Sequence, residues 1–136
     1  IYDSHRGIGD AGTSNSYKNN IISESAEWSI VCSGCTTPDN DYNTTYNRAS
    51  GDHSGLSAGS NTITGDPKMT NPGSQDFTLQ STSPCIDLGI GIAGYGTALR
   101  SDTVVADFFT AGTVETTPVG NRPDIGAYEY SIWGSP

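Results

Sequence analysis

No apolar run in this chain is long. Ile21-Ile22, Ile30-Val31, Phe77-Thr78-Leu79 and Ile86 stand as short tips, and Tyr42, Ile63 and Met69 as single ones. Between them lie turn-forming clusters such as Thr36-Thr37-Pro38-Asp39-Asn40 and Gly65-Asp66-Pro67. A helix needs apolar residues repeating every three or four positions over ten or more residues. The best helical candidate, Ser23 to Ser29, is too short and runs into β-branched Ile30-Val31. Strands this short with turns this dense predict an all-β chain. Composition agrees: 33% of residues are hydrophobic and 15% charged, the balance being rich in Gly, Ser, Thr and Asn. Those residues suit turns, because Gly and Asn accept positive φ and the polar side chains satisfy turn backbones.

The spacing of the tips adds a period. Tyr17-Lys18-Asn19-Asn20-Ile21-Ile22 and Asn40-Asp41-Tyr42-Asn43 lie about one solenoid repeat apart. Stacked repeats place equivalent residues one strand spacing apart, about 4.8 Å. Asn19 or Asn20 with Asn43 is then a candidate rung of an amide ladder; the alternative is that each Asn serves only its own turn.

Several segments follow in a telling order. They are Lys18-Asn19-Asn20-Ile21-Ile22-Ser23, Asp41-Tyr42-Asn43, Gly65-Asp66-Pro67-Lys68-Met69, Asp76-Phe77-Thr78-Leu79, Ser83-Pro84-Cys85-Ile86-Asp87-Leu88-Gly89 and Asn121-Arg122-Pro123-Asp124-Ile125-Gly126-Ala127-Tyr128-Glu129-Tyr130. The series resembles the C-terminal region of secreted right-handed parallel β-helix proteins, pectate-lyase-like and often surface-anchored. It covers roughly Tyr17 to Tyr130. Lys68-Met69 departs from it, since the family usually has an apolar pair there. The resemblance implies the last coils of a β-helix plus a closing segment, with residues 1–16 an N-terminal cap or a remnant of preceding coils and 17–136 the coils and close. It implies an extracellular or cell-surface location and a core lined by Ile21, Ile22, Ile30, Phe77, Leu79, Ile86 and Ile125. Cys85 falls where the family takes a small buried residue. The family's catalytic coils lie upstream of this end.

Charge narrows the partners. The formal net charge is -9, with six Lys and Arg in all. So few cations cannot neutralise a phosphate backbone, which argues against nucleic acid. An acidic surface also disfavours anionic membranes, and no apolar run is long enough for a transmembrane segment. The chain opens on Ile1-Tyr2-Asp3 with no export signal, as a processed product or fragment would.

Candidate chemistry is sparse. Cys32-Ser33-Gly34-Cys35 has redox-motif spacing, but Thr36-Thr37-Pro38-Asp39 follows it instead of a helix. A local Cys32–Cys35 disulfide or two packed thiols is the simpler expectation. His5 and His53 supply no zinc-finger spacing. Asp39, Asp41 and Asn43 place oxygens at alternate positions, the start of a Ca²⁺ loop; Thr44 and Ser50 stand where an EF-hand requires Gly and Glu. Ca²⁺ is therefore the one cofactor raised, against an Asx-rich turn. Asp102, Asp107, Asp124 and Glu129 offer carboxylates for glycoside hydrolysis, and Lys18, Arg48, Lys68 and Arg100 offer bases for a polysaccharide lyase. None forms a recognisable catalytic pattern. Tyr42, Tyr46 and Trp28 are the leading aromatic candidates for polysaccharide binding, with Tyr95 and Trp133 behind them. Asn43-Thr44-Thr45 has the form of a glycosylation acceptor.

These features favour a non-catalytic extracellular structural or carbohydrate-associated module. The rival readings are a fragment of a polysaccharide lyase or glycoside hydrolase with its active site mostly elsewhere, and a self-assembling homo-oligomer, filament or surface-layer subunit.

Overall fold

The computed structural model describes residues 1–92, 98–100, 114–115 and 122–130. The fold is all-β: apart from one 3₁₀ turn at Pro72–Ser74, every regular element among the described residues is a strand. The chain divides into two compact units, Ile1–Pro67 and Lys68–Pro136.

The first unit holds nine strands: β1 (Tyr2–Ser4), β2 (Ile8–Asp10), β3 (Ser16–Tyr17), β4 (Ile21–Ser25), β5 (Trp28–Cys32), β6 (Asp39–Asn40), β7 (Thr44–Arg48), β8 (Gly51–Ser54) and β9 (Ile63–Thr64). They form three sheets with the orders β1-β4-β7-β9, β2-β5-β8 and β3-β6. Every pairing in the unit is parallel. The chain thus visits the three sheets in turn and lays each new strand on the one from the circuit before. Tyr2 lies beside Ser23, Ile8 beside Ile30, Ser16 beside Asp39 and Ile21 beside Thr44. Each pair joins positions one circuit apart, and that circuit is the period the Asn-rich segments suggested. The last circuit is shorter, with Thr44 beside Ile63.

The corners stack as well. Ala26 and Glu27 donate their N–H groups to the carbonyls of Ser4 and His5 at 2.8 and 2.9 Å, and Ala49 and Ser50 repeat the pattern on Ser25 and Glu27. Left-handed backbone recurs at equivalent positions inside β1, β4 and β7: Asp3, Glu24 and Asn47 have φ of 49°, 57° and 47°. Asn19 and Tyr42 form a second such pair at 57° and 55°, joined by Asn19 N–H to the Tyr42 carbonyl at 2.9 Å. Left-handed geometry costs most residues about 1–2 kcal/mol, and the stacked hydrogen bonds offset that cost. Tyr42 is therefore a corner residue rather than a strand tip.

The core of this unit is small. Tyr17, Ile22 and Ile30 are buried together, with Ile8 and Leu56 packed against them. Much of the remaining buried surface is polar: Ser23, Ser25, Ser29, Asn40, Asn43, Thr44 and Thr45 are all buried. Two glycines make room for side chain and backbone. A Cβ on Gly51 would meet the Trp28 ring at 2.5 Å, and one on Gly55, whose φ is 77°, would meet the Cys32 carbonyl oxygen at 1.9 Å. Residues 1–16 belong to the first circuit through β1, β2 and the start of β3, so the expected boundary between 16 and 17 falls inside a strand.

The second unit is built differently. Strands β10 (Met69–Asn71) and β11 (Asp76–Leu79) pair antiparallel. The parallel stacking predicted through Asp76-Phe77-Thr78-Leu79 does not apply there. Pro72-Gly73-Ser74-Gln75 is a tight connection with left-handed Gln75, whereas a parallel partner requires a crossover of a dozen or more residues. Strands β12 (Ala98–Arg100), β13 (Val114–Glu115) and β14 (Tyr128–Glu129) form a sheet of order β13-β12-β14. Strand β12 runs antiparallel to β13 and parallel to β14. Leu79, Cys85, Asp124 and Ile125 are buried. Phe77 and Ile86 are only partly buried, and Ile86 lies in a turn, so those two do not fill the core position expected of them.

Candidate functional site

In the first unit, side-chain chemistry concentrates where β3 and β6 stack. Asn20 and Asn43 form the amide ladder. The Asn43 Oδ1 accepts both the backbone N–H and the Nδ2–H of Asn20, at 3.0 and 2.9 Å. Asn43 Nδ2 donates to the Tyr17 carbonyl at 2.7 Å and to Asn40 Oδ1 at 3.0 Å. Asn40 Nδ2 continues to the Ser57 carbonyl at 3.0 Å. Asn43 is fully buried, and these bonds use both hydrogens and two acceptor sites of its amide.

Asp10, at the end of β2, organises the neighbouring turn. Its carboxylate accepts the N–H groups of Ala11 and Gly12 at 2.7 and 2.8 Å, and also the Asn15 amide and the Tyr17 hydroxyl. The bond from Tyr17 is the largest of several that hold the Asp10 carboxyl down to about 2. Burial, and after it Asp10, raises the Tyr17 phenol. Cys32 and Cys35 are joined by a disulfide with a Cα–Cα distance of 5.7 Å. Asp10, Cys32 and Cys35 bring one ligand-type atom each within 4.8 Å of one another. A metal would need the sulfurs as thiolates; as a disulfide they leave Asp10 capping the turn.

The residues singled out for Ca²⁺ have separate partners. Asp39 pairs with Lys18 Nζ at 2.6 Å. Asp41 accepts the backbone N–H groups of Tyr42 and Asn61 and the Asn61 amide at 2.8 to 2.9 Å. Asn43 is committed to the ladder. Of the cationic candidates for a lyase base, Lys18 is bound to Asp39, Arg48 is paired with Asp52 at 2.6 Å, and Lys68 donates to Thr82 Oγ1 at 3.3 Å. The side chain of Arg100 lies outside the described residues, as do Tyr95, Asp102, Asp107, Trp133 and the side chain of Glu129.

The aromatic candidates occupy different places. Trp28 begins β5 with its ring against Gly51. Tyr42 turns a corner. Tyr46 lies in β7, in register with Ser23 of β4, which is in turn in register with Tyr2 of β1. His53 of β8 is beside core residue Ile30. Burial lowers its pKa; Asp52 acts against this and Arg48 adds to it, and its Nε2 is buried without a hydrogen-bond partner among the described residues. Asp10, Tyr17, Tyr2 and His53 were not legible as site residues. Each acquires its neighbours from strand register a full circuit away or from a folded turn, and local sequence carries no such signal.

In the second unit, Asp124 is fully buried. It accepts the N–H of Asp87 at 2.7 Å and that of Tyr130 at 2.5 Å. Burial raises its pKa; the two backbone donors act against this and Asp87 adds to it. Cys85 is buried and its thiol is not in a disulfide. No helix among the described residues is long and apolar enough to cross a membrane. The chain matches no family model, no curated protein and no solved structure.

Proposed function

We propose that this chain is the end of a right-handed parallel β-helix and serves as a non-catalytic, extracellular structural or carbohydrate-associated module. The observation that carries the fold part is the repeated passage through three parallel sheets, each strand pairing with the one laid down a full circuit later. The non-catalytic part is supported by how the candidate groups are used. Asp10, Asp41 and Asp124 cap backbone N–H groups, and Lys18 and Arg48 are held in ion pairs. A carboxylate whose acceptor sites are filled by its own turn is a poor general base. The test is binding of soluble polysaccharides by affinity electrophoresis, run beside a lyase assay on pectate and alginate with and without Ca²⁺. Retardation by a polysaccharide without turnover supports the module. Turnover abolished by one acidic or basic substitution would establish the lyase reading instead.

Assembly is favoured by a separate observation. Strands β1, β2 and β3 all stand at the edges of their sheets among the described residues, so one end of the stack presents three adjacent strand edges. Such edges template further strands. A second copy that adds strands there would give a homo-oligomer, or a filament if the contact is head-to-tail. Light scattering over a hundredfold concentration range tests this: mass should rise with concentration, and a constant monomer mass excludes it.

A further inference from the structure

Two loops lie one over the other where β2 and β5 end. Register sets Asp10 beside Cys32, one strand spacing away, and the Ser33 N–H carries the ladder on to the Asp10 carbonyl at 2.9 Å. Farther along, Thr36 and Thr37 donate to the Thr13 carbonyl at 3.3 and 3.1 Å. The loop through Cys35 is thereby held over the loop that begins at Asp10. Gly34, with φ of 93°, turns the chain back within Cys32-Ser33-Gly34-Cys35. One ligand-type atom each from Asp10, Cys32 and Cys35 falls within 4.8 Å of the other two. Tyr17 flanks the cluster: its hydroxyl donates to Asp10 Oδ2 and lies 3.9 Å from Cys35 Sγ. The Gly12 carbonyl lies 3.9 Å from Cys32 Sγ. Cys32 is buried, but Asp10 and Cys35 are partly exposed, and Ser33 and Gly34 are exposed. Solvent therefore reaches the cluster from the Cys35 side.

We propose that opening the Cys32–Cys35 bridge turns this cluster into a binding site for one zinc-like divalent ion, held by Cys32 Sγ, Cys35 Sγ and Asp10 Oδ2. The site is separate from the structural role proposed above and does not depend on it. A dithiol reductant supplies the change: its two thiols become a disulfide, and two electrons and two protons pass to Cys32 and Cys35. Both cysteines then release their protons to solvent as the metal binds. Tetrahedral zinc takes Zn–S of about 2.3 Å and Zn–O of about 2.0 Å, which sets two sulfurs roughly 3.8 Å apart and sulfur and oxygen roughly 3.5 Å apart. That triangle fits the space the three atoms already share. Two cysteines separated by two residues are a zinc-ligand spacing as well as a redox one. Charge favours an ion too, because two thiolates and a carboxylate this close repel one another unless a cation lies between them. Thiolates select zinc-like ions over Ca²⁺ or Mg²⁺, which prefer oxygen. The carboxylate is already oriented. Backbone N–H groups of Ala11 and Gly12 hold Oδ1, while Oδ2 is met by the side chains of Asn15 and Tyr17. The ion takes the place of the Asn15 amide, whose side chain is exposed. Tyr17 remains as the donor that fixes a ligating carboxylate, and water completes the four-coordinate shell.

The test is an anaerobic titration of the intact chain with Co²⁺, an optical stand-in for zinc, after reduction with dithiothreitol and its removal. One equivalent should bind the reduced chain, with thiolate-to-cobalt charge-transfer absorption and the visible bands of a tetrahedral ion, and Zn²⁺ should displace it. The bridged chain should show neither signal. Asp10→Asn should keep the charge-transfer band but weaken binding by at least the roughly tenfold that losing an outer-shell partner costs. Cys35→Ser should lose much of the band, and Cys85→Ala, which removes the remaining thiol, should leave titration and spectrum unchanged. Amide NMR shifts of the reduced, unmodified protein read the site without any variant. On addition of Zn²⁺ they should concentrate on residues 10–17 and 32–37, in a spectrum that keeps the dispersion of a folded chain. Equal binding by bridged and reduced chains, absence of the charge-transfer band, two chains per ion, unchanged affinity in folded Asp10→Asn, or shifts elsewhere would each overturn the site. Loss of folded dispersion on reduction would overturn it as well.

Discussion

Asp124 accepts the backbone N–H of Asp87 on a fully buried carboxylate, at 2.7 Å. One side chain thus joins Cys85-Ile86-Asp87-Leu88-Gly89 to Pro123-Asp124-Ile125, segments far apart in the chain. The backbones agree: Ile125 N–H donates to the Cys85 carbonyl at 2.9 Å and Gly89 N–H to the Pro123 carbonyl at 2.7 Å. A Cβ on Gly89 would meet the Asp124 carbonyl oxygen at 2.6 Å, so close approach requires glycine there. Two segments that stood out separately in the sequence are one clasp.

The clasp should fail when Asp124 is truncated. Asp124→Ala leaves the N–H groups of Asp87 and Tyr130 without their acceptor, at about 1–3 kcal/mol for each. Asp124→Asn keeps one acceptor and should lose less. Urea denaturation, read by near-ultraviolet circular dichroism, measures both. Burial raises the folded pKa of Asp124 above its usual 3.8. The folded state therefore binds more protons than the unfolded one just above pH 3.8, and this group's contribution to stability falls as pH rises through that window. The slope should disappear in Asp124→Asn.

His53 predicts the opposite sign. Burial lowers its folded pKa below the ordinary 6.5. Well above that pH the ring is neutral whether folded or unfolded and contributes no slope. As pH falls through 6.5 the unfolded chain takes up the proton first, so stability decreases. His53→Leu should flatten the stability profile between pH 6.5 and the folded pKa. An unchanged profile in that variant would place the acid sensitivity elsewhere.

Asn43 should be the costliest polar truncation in the first unit. Asn43→Ala removes the acceptor for Asn20 and the donor to Tyr17, each worth about 1–3 kcal/mol when buried. Asn20→Ala, at a less buried position, should cost less. The same burial withholds the Asn43-Thr44-Thr45 acceptor from glycosylation once the chain has folded. Exposing the folded protein to an oligosaccharyltransferase and its glycan donor, followed by intact-mass measurement, checks this, the expected mass being that of the bare chain.

The thiols should separate cleanly. Alkylation under denaturing, non-reducing conditions should modify one cysteine, Cys85, because Cys32 and Cys35 are bonded to each other. Alkylation of the folded protein should be slow, since Cys85 is fully buried. Reducing the Cys32–Cys35 bridge should cost only about 2 kcal/mol in loop-closure entropy, because so few residues are enclosed. Peptide mapping and denaturation with and without reductant give the two readings.

Ile30→Ala should destabilise the first unit by about 2–5 kcal/mol. Ile30 is fully buried and belongs to a core of few large side chains. The equivalent change at Ile86, which is partly exposed in a turn, should cost less. Equal losses at the two positions would contradict the packing described.

The class of structure and much of its period were legible in the residues alone. Short tips between Gly, Pro, Asn and Asp allow strands and forbid long helices. Repeated Asn-rich corners reveal the length of a circuit, because a corner's conformational demands recur each time the chain comes round. The rung between Asn20 and Asn43 was legible for that reason, one of the two pairings the spacing left open. Three features had to wait for the folded chain. The antiparallel turn at Pro72-Gly73-Ser74-Gln75 ends the parallel stacking, although the apolar pattern of Asp76-Phe77-Thr78-Leu79 reads the same in either strand direction. The role of Asp10 depends on Tyr17 folding back onto its carboxylate. The register that sets Tyr2, Ser23 and Tyr46 side by side is the third, and a slip of one residue sends a side chain to the opposite face of a sheet. Local propensity fixes which residues turn and which extend; the facing partners come from chain segments a full circuit away.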